Sequence, residues 1–193
     1  PGRRQFLLMS MNLGIVGVTS VLGGIGLLQA RRKATIITQN IAIPNLPAEF
    51  QGLKIAQVSD LHVGPTIKAD YARTVVDQVN SLQPDIIFFT GDMVDGSVDR
   101  LSADVEPLRD LKSKYGTYFV TGNHEYYSGA KQWVDKVGEL GMIHLKNEHR
   151  ILPRGESSLA IVGVTDLMAH HTIKSHKSDP HKAMSGVPED IPS

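Results

Sequence analysis

Apolar positions along this chain follow two patterns, short unbroken runs and helical spacing, and the two alternate. Residues 53–59 (LKIAQVS), 85–90 (DIIFFT) and 117–121 (TYFVT) are runs of strand length. The first reads as a core strand, and the second, apolar throughout, as a strand buried on both faces. Between the runs the spacing turns helical. Tyr71, Val75, Val76 and Val79 share a face within 68–82, and Trp133, Val134, Val137 and Leu140 share one within 131–140. Pro84 stops the first of these helices, and 101–111 is a further helix candidate. Residues 142–145 predict a short strand, and 149–152 with 159–164 predict a hairpin around Arg154-Gly155-Glu156. Residues 34–43 alternate and are β-branched, so they read as a strand or an extended connector ended by Pro44 and Pro47. From about Met168 the chain is polar and rich in His, Lys, Ser and Pro, which reads as a loop. No repeat of solenoid period is present. Strand–helix alternation predicts an α/β sheet, mostly parallel at its centre.

One apolar stretch belongs to neither pattern. Residues 6–28 carry no charge and are flanked by Arg3-Arg4 and by Arg31-Arg32-Lys33. At roughly 1.5 Å per residue this stretch can span a hydrocarbon core of roughly 30 Å. Its five glycines would be costly in a soluble helix but are tolerated in membrane helices, where they allow close packing. A buried helix of a soluble domain is the plainer alternative. Arg3-Arg4-Gln5-Phe6-Leu7 also resembles a twin-arginine export signal. The apolar run is long for a signal peptide, and Leu28-Gln29-Ala30 matches a small-x-small cleavage site poorly, which favours an uncleaved anchor. Positive charge on both flanks leaves orientation nearly undecided, and the twin-arginine resemblance tips it toward an extracytoplasmic domain. Residue 1 is proline rather than methionine, so a fragment or processed piece is expected.

Composition removes several chemistries. The 193 residues include no cysteine, which excludes disulfides, thiolate zinc sites and cysteine nucleophiles. Formal net charge is +0 and aromatics are 6%, so neither a basic surface nor base-stacking platforms point to nucleic acid.

What remains is concentrated in three islands: Asp60-Leu61-His62, Gly91-Asp92 and Gly122-Asn123-His124-Glu125. Each follows an apolar run, and ligands of open α/β sheets bind outside the carboxyl ends of strands. Asp60 and His62, two residues apart where strand gives way to loop, can both turn toward one metal. Mixed nitrogen and oxygen ligands suit Mn, Fe or Zn better than Ca or Mg. Each residue also has a structural alternative. Asp60 and Asp92 could cap the following helices, Asn123 could be a turn residue, and Asp95-Gly96 is an ordinary turn pair. Glu125 reads as a support for its loop rather than as a metal ligand.

The order D-x-H, then GD-x-x-D, then GNHE resembles the calcineurin-like metallophosphoesterase superfamily, membrane-anchored bacterial type. The matches are Asp60-Leu61-His62, Gly91-Asp92-Met93-Val94-Asp95 and Gly122-Asn123-His124-Glu125, and the resemblance covers roughly 53–164. It implies an α/β fold, a metallophosphoesterase-like sandwich of mixed sheets flanked by helices. The expected organisation is an anchor or export signal at 1–33, a connector at 34–52 and the N-terminal portion of the phosphoesterase domain at 53–193. It also implies hydrolysis of a phosphoester by two divalent ions, which offset phosphate charge and activate water. Asp60, His62, Asp92 and Asn123 would be metal ligands, with Asp92 bridging. His124 would contact the phosphate or the leaving-group oxygen and donate a proton, and Asp95 would orient it. Asp166 is placed at the rim of the cleft, His144 and His149 are read as structural, and His170, His171, His176 and His181 as solvated loop residues.

The chain departs from the family in one respect. It contains no Gly-His dipeptide, so the later lone His and the Gly-His-x-His element are missing. Truncation is the simplest account, leaving half of a dinuclear site and a sheet with an exposed edge. The expected partners are a phosphoester substrate, with a phosphodiester or a lipid- or nucleotide-linked ester favoured, and a bilayer through residues 6–28. The oligomeric state is not readable. A non-catalytic scaffold that kept the fold is the alternative. A nucleotide-binding domain is disfavoured, because Ser59-Asp60-Leu61-His62-Val63-Gly64 supplies no glycine-rich phosphate loop.

Overall fold

The computed structural model describes residues 2–30 and 32–192, with no side-chain description of Ala30. Arg31, one of the flanking basic residues, and the terminal Pro1 and Ser193 lie outside the described residues. Two compact units divide between Ile36 and Ile37.

The first unit is a single helix, α1 (Arg3–Ala30). Its leucines, isoleucines and valines are exposed all round, so no face of it prefers water. Residues Arg3–Gln29 are long and apolar enough to cross a membrane, and a signal sequence would have the same character.

The second unit is an α/β domain. Residues 34–43 are extended but form no strand, and their isoleucines Ile36, Ile37, Ile41 and Ile43 stay exposed. A 3-10 turn, Ala48–Phe50, then plants Phe50 in the interior. The predicted alternation follows as β1 (Ile55–Val58), α2 (Ala69–Ser81), β2 (Ile86–Thr90), α3 (Val98–Val105) and β3 (Thr117–Val120). Then come α4 (Asn123–Ser128), α5 (Ala130–Glu139), β4 (Ile143–His144), the hairpin β5 (Glu148–Arg154) and β6 (Ser157–Gly163), α6 (Ala169–Thr172) and α7 (Pro180–Met184). Strands β1 to β4 form one sheet in that order, all neighbours parallel.

The sheet separates two apolar layers. On one face Ala56, Val58, Ile87, Phe89 and Phe119 pack against α2, α3 and α5 through Val76, Val105, Trp133 and Val137. On the other, Ile86, Tyr118 and Phe88 meet Phe50 and the hairpin residues Leu152, Leu159 and Ile161. Strand β2 is buried on both faces, as its unbroken apolar run requires. Strand β1 is less central than expected. It pairs with β2 at the edge of the four, and Ile55 and Gln57 on one face are exposed.

Several boundaries differ for identifiable reasons. The helix predicted at 101–111 begins at Val98 and changes to a 3-10 segment, Glu106–Asp110, where Pro107 withholds an N–H. Helix α2 ends before Pro84 through Gln83, which takes φ 49°. The stretch after Met168 is not a plain loop: α6, a 3-10 turn at Lys174–His176 and α7 are tied to the body. Asn147, itself at φ 51°, donates to Lys177 O at 2.7 Å and accepts from the Asp179 and Thr165 amides. His149 Nδ1 lies 2.8 Å from Ala183 O, a structural contact.

His144 on β4 is largely buried beside Phe119, and its Nε2 has no hydrogen-bond partner among the described residues. Burial pulls its pKa from 6.5 to about 4. The unfolded chain therefore binds the extra proton between those values, and stability present above pH 6.5 is lost as pH falls toward 4. Replacing His144 with Phe should shrink the stability difference between pH 7 and pH 5 by about 1–2 kcal/mol in urea titrations. An unchanged difference would mean that His144 does not carry this loss.

Candidate metal centre

The three islands leave β1, β2 and β3 at their carboxyl ends and are joined backbone to backbone. Asp60 N–H donates to Gly91 O at 3.2 Å, His62 N–H to Asp92 O at 3.0 Å, and Val63 N–H to Met93 O at 2.9 Å. Asp95 N–H returns to Val63 O at 2.8 Å, and Val63 and Val94 form a parallel bridge. The first and second loops therefore continue the sheet's pairing past the strands.

The second and third islands hold each other through side chains. The Glu125 carboxylate is fully buried and accepts three amides: Met93 N–H at 2.7 Å, Gly122 N–H at 2.8 Å and Asp92 N–H at 3.0 Å. In return Asp92 Oδ1 accepts the His124 N–H at 2.9 Å. Burial pushes the Glu125 carboxyl up against the pull of those three amides, and the neighbouring Asp92 charge adds to the rise. The loops can come this close because two positions lack a side chain. A methyl group on Gly91 would run into the Gly122 backbone, and one on Gly122 would run into Asp92. Gly91 also has φ +84°, whereas Gly122 has φ −89°, so space rather than backbone angle requires glycine there.

This framework gathers the predicted residues. His62 Nε2 lies 3.8 Å from Asp60 Oδ1 and 4.0 Å from Asp92 Oδ2. His62, Asp92 and His124 each offer one donor atom, all within 4.8 Å of one another. An ion about 2.0–2.2 Å from each donor holds its ligands roughly 3–4.3 Å apart, so the 3.8 and 4.0 Å spacings of His62 from Asp60 and Asp92 suit a shared cation, while the 4.8 Å bound on the set with His124 is looser. The donor set, carboxylates with imidazole, fits Mn, Fe or Zn. Asp60, His62 and Asp92 all take φ near +50°, a costly backbone region for side-chain-bearing residues. Strain of this kind gathers at functional sites.

Asp95 lies between two imidazoles. Both its oxygens are 3.1 Å from His62 Nδ1, and Oδ1 also bonds His124 Nδ1. Each ring is left with Nε2 for other partners, and the rings meet edge-on at 4.4 Å. Burial would raise the Asp95 carboxyl, but its bonds to His62 and His124 outweigh that and hold it below the usual range. Burial likewise pulls His62 down, and the charges of Asp95, Asp92 and Asp60 with the Asp95 bond raise it on balance.

The structural alternatives for these residues fare differently. The N-caps of α2, α3 and α4 are Lys68, Ser97 and Gly122, so neither Asp60 nor Asp92 caps the helix following it. Asp92 instead binds an amide of α4. Asn123 is not a turn residue but the first residue of α4, a helix the sequence reading missed. Its signal was present: Gly122 and Glu125 have the spacing of a capping box, and Glu125 does reach back to the Gly122 N–H. Asn123 lines a recess of about 130 Å³ shared with Asp166. Tyr127 and Met168 in the same recess had no signal in the sequence, and His171, expected as a solvated loop residue, lines it too. The expected loop histidines separate: His176 Nδ1 is 2.9 Å from Tyr126 OH, while His170 and His171 stack on each other.

A parallel α/β sheet with carboxylates and imidazoles converging beyond its strand ends is the architecture of a phosphoesterase-type domain with a possible metal site. The chain belongs to the calcineurin-like phosphoesterase family, whose profile matches residues 53–185. It is 37% identical over 188 residues to a transmembrane protein with metallophosphoesterase domain from Bos taurus, covering 92% of this chain and 42% of that protein. The protein of the same description from Danio rerio is 33% identical over 180 residues, covering 91% and 41%. The uncharacterized metallophosphoesterase YkuE of Bacillus subtilis is 28% identical over 172 residues, covering 86% and 60%. The chain thus spans about two fifths of the length of the vertebrate relatives it matches.

If Glu125 acts as an ionised clamp, Glu125→Gln should cost about 2–4 kcal/mol in urea unfolding, because an amide NH2 would face backbone donors. A cost under about 0.5 kcal/mol would show that the clamp is not held by charge.

Proposed function

We propose that the protein of which this chain is part hydrolyses phosphoesters at a dinuclear metal centre built on these strand ends. The convergence of Asp60, His62 and Asp92 beside a second imidazole, with Asp95 bonded to both rings, carries the reading. Asp60, His62 and Asp92 would hold one divalent ion, and Asp92 and Asn123 would contribute to a second. The ions, of Mn, Fe or Zn type, would neutralise phosphate charge and activate water.

The protein's own groups supply the rest. His62 presents Nε2 because Asp95 occupies Nδ1, and Asp95 fixes the His124 ring in the same way. His124 Nε2 gives a proton to the leaving-group oxygen as the ester bond breaks. Asp92 Oδ1 is engaged by the His124 amide, which sets the carboxylate plane and the start of α4 relative to each other. Glu125 touches none of the reacting atoms and keeps the two loops in register.

A phosphodiester is the favoured substrate. The relatives described as transmembrane proteins, together with the apolar helix α1, support a retained anchor. We place the catalytic domain outside the cytoplasm on the twin-arginine resemblance of Arg3-Arg4. The division at 33 and 52 into anchor, connector and phosphoesterase domain belongs to the same reading.

In the complete reading frame with Mn, Asp92→Ala should lower kcat/KM for bis-p-nitrophenyl phosphate by more than about tenfold and weaken Mn binding in titration calorimetry. His124→Gln should lower turnover by about 10²–10⁴ with Mn affinity held within about threefold. A loss below tenfold in the first variant would overturn the dimetal reading. Equal loss of Mn affinity in the second would make His124 a ligand rather than an acid.

A further inference from the structure

Apart from Asn123, the residues that line the recess beside α4 are not among the proposed metal ligands. The recess lies between α4 and the 166–172 segment, with Tyr126, Tyr127, Met168 and His171 among its walls. Tyr126 is nearly buried and immobilised: its hydroxyl is 3.2 Å from Thr121 Oγ1 and 2.9 Å from His176 Nδ1. Beneath it, Tyr126, Ala130 and Ala169 pack together with Ile173, so the wall is part of the fold. Tyr127 is 72% exposed, and its ring meets the His124 ring edge-on at 5.6 Å. Met168 is also exposed, at 51%. An exposed aromatic and an exposed thioether beside a polar centre are an apolar surface left open where a ligand would arrive.

Two features narrow the occupant. The volume, about 130 Å³, is close to that of cavities of about 150 Å³ that accept benzene, so a single six-membered ring fits it. Asp166 stands in the same lining, with Oδ1 accepting the Met168 N–H at 2.8 Å. A fixed carboxylate there repels a second negative charge.

We propose that this recess binds the alcohol portion of the phosphoester as an uncharged, ring-sized group, with Tyr127 and Met168 against the ring and Asp166 excluding anionic substituents. The inference rests on the metal-centre reading, since Asn123 and His124 join recess and centre. It adds a specificity site to that reading: esters of neutral ring-bearing alcohols are accepted, and esters carrying a carboxylate or further phosphate on the ring are disfavoured.

The test uses stable phosphonates and reads binding rather than turnover. In the full reading frame loaded with Mn, titration calorimetry compares methylphosphonate, phenylphosphonate and 4-carboxyphenylphosphonate. Phenylphosphonate should bind about tenfold tighter than methylphosphonate, and the carboxylated ligand should lose that gain. Tyr127→Ala should remove the phenyl advantage with methylphosphonate and Mn affinities within about twofold of the parent. Asp166→Asn, which keeps the oxygen that accepts Met168 N–H, should restore about tenfold to the carboxylated ligand alone. If methylphosphonate binds with Mn but phenylphosphonate gains nothing, or Tyr127→Ala weakens both alike, the recess proposal falls and the metal centre stands. If no phosphonate binds in a Mn-dependent way, both fall.

Discussion

Everything at the candidate centre depends on how two loops can lie against each other with no side chain between them. Gly91 and Gly122 meet backbone to backbone, and the space a Cβ would take is filled by the other loop. That contact brings the Glu125 carboxylate within reach of the Asp92 and Met93 amides and brings Asp92 to the His124 amide. The two acids therefore do opposite work with the same chemistry. Glu125 is buried, with both oxygens committed to amides, and is structural. Asp92 spends one oxygen on α4 and turns the other toward His62. An amide-saturated carboxylate cannot also serve a cation well, so burial and partner count separate the support from the proposed ligand.

The same logic extends to the charges. Asp60, Asp92 and Asp95 surround one imidazole, an arrangement that repels itself unless positive charge sits among them. The same acids, with the Asp95 bond, raise the His62 pKa against the effect of burial. A divalent cation among them would supply that positive charge. Asp95 differs from the other two because its oxygens face the Nδ1 atoms of both rings. It orients the imidazoles, and the left-handed backbone at Asp60, His62 and Asp92 aims the others inward.

Much of this was legible in the sequence, and the parts that were not have a common cause. Periodicity located β1, β2, β3, α2 and α5 to within a few residues, because burial on one or two faces writes itself into apolar spacing. The islands were visible because acids and imidazoles directly after apolar runs have few other reasons to be there. Helix α4 was missed because its six residues, NHEYYS, show no apolar stripe, and its capping-box spacing was hidden inside a motif read for chemistry. The polar stretch after Met168 looked like a loop because its order comes from long-range partners. Asn147, Tyr126 and His149 hold it by hydrogen bonds that leave no local pattern. The edge position of β1 was likewise invisible, since LKIAQVS would suit a central strand equally well.

Donor counting sets the relation between the two ions in the proposed centre. On the proposed reading one position would draw on Asp60, His62 and Asp92, three donors, which is the usual protein complement of a catalytic site. Among the described residues the other would draw on the shared Asp92 and on Asn123, whose carbonyl is neutral. Two donors, one of them uncharged and one shared, hold a divalent ion far less firmly than three. On the proposed reading the first position fills at lower metal concentration than the second. The second ion is then the one whose occupancy depends on further ligands, from substrate oxygens or from outside the stretch described. That asymmetry also fits the placement of the recess. It opens beside Asn123, at the less saturated position, where a phosphoester oxygen would complete the coordination as its alcohol portion enters between α4 and α6.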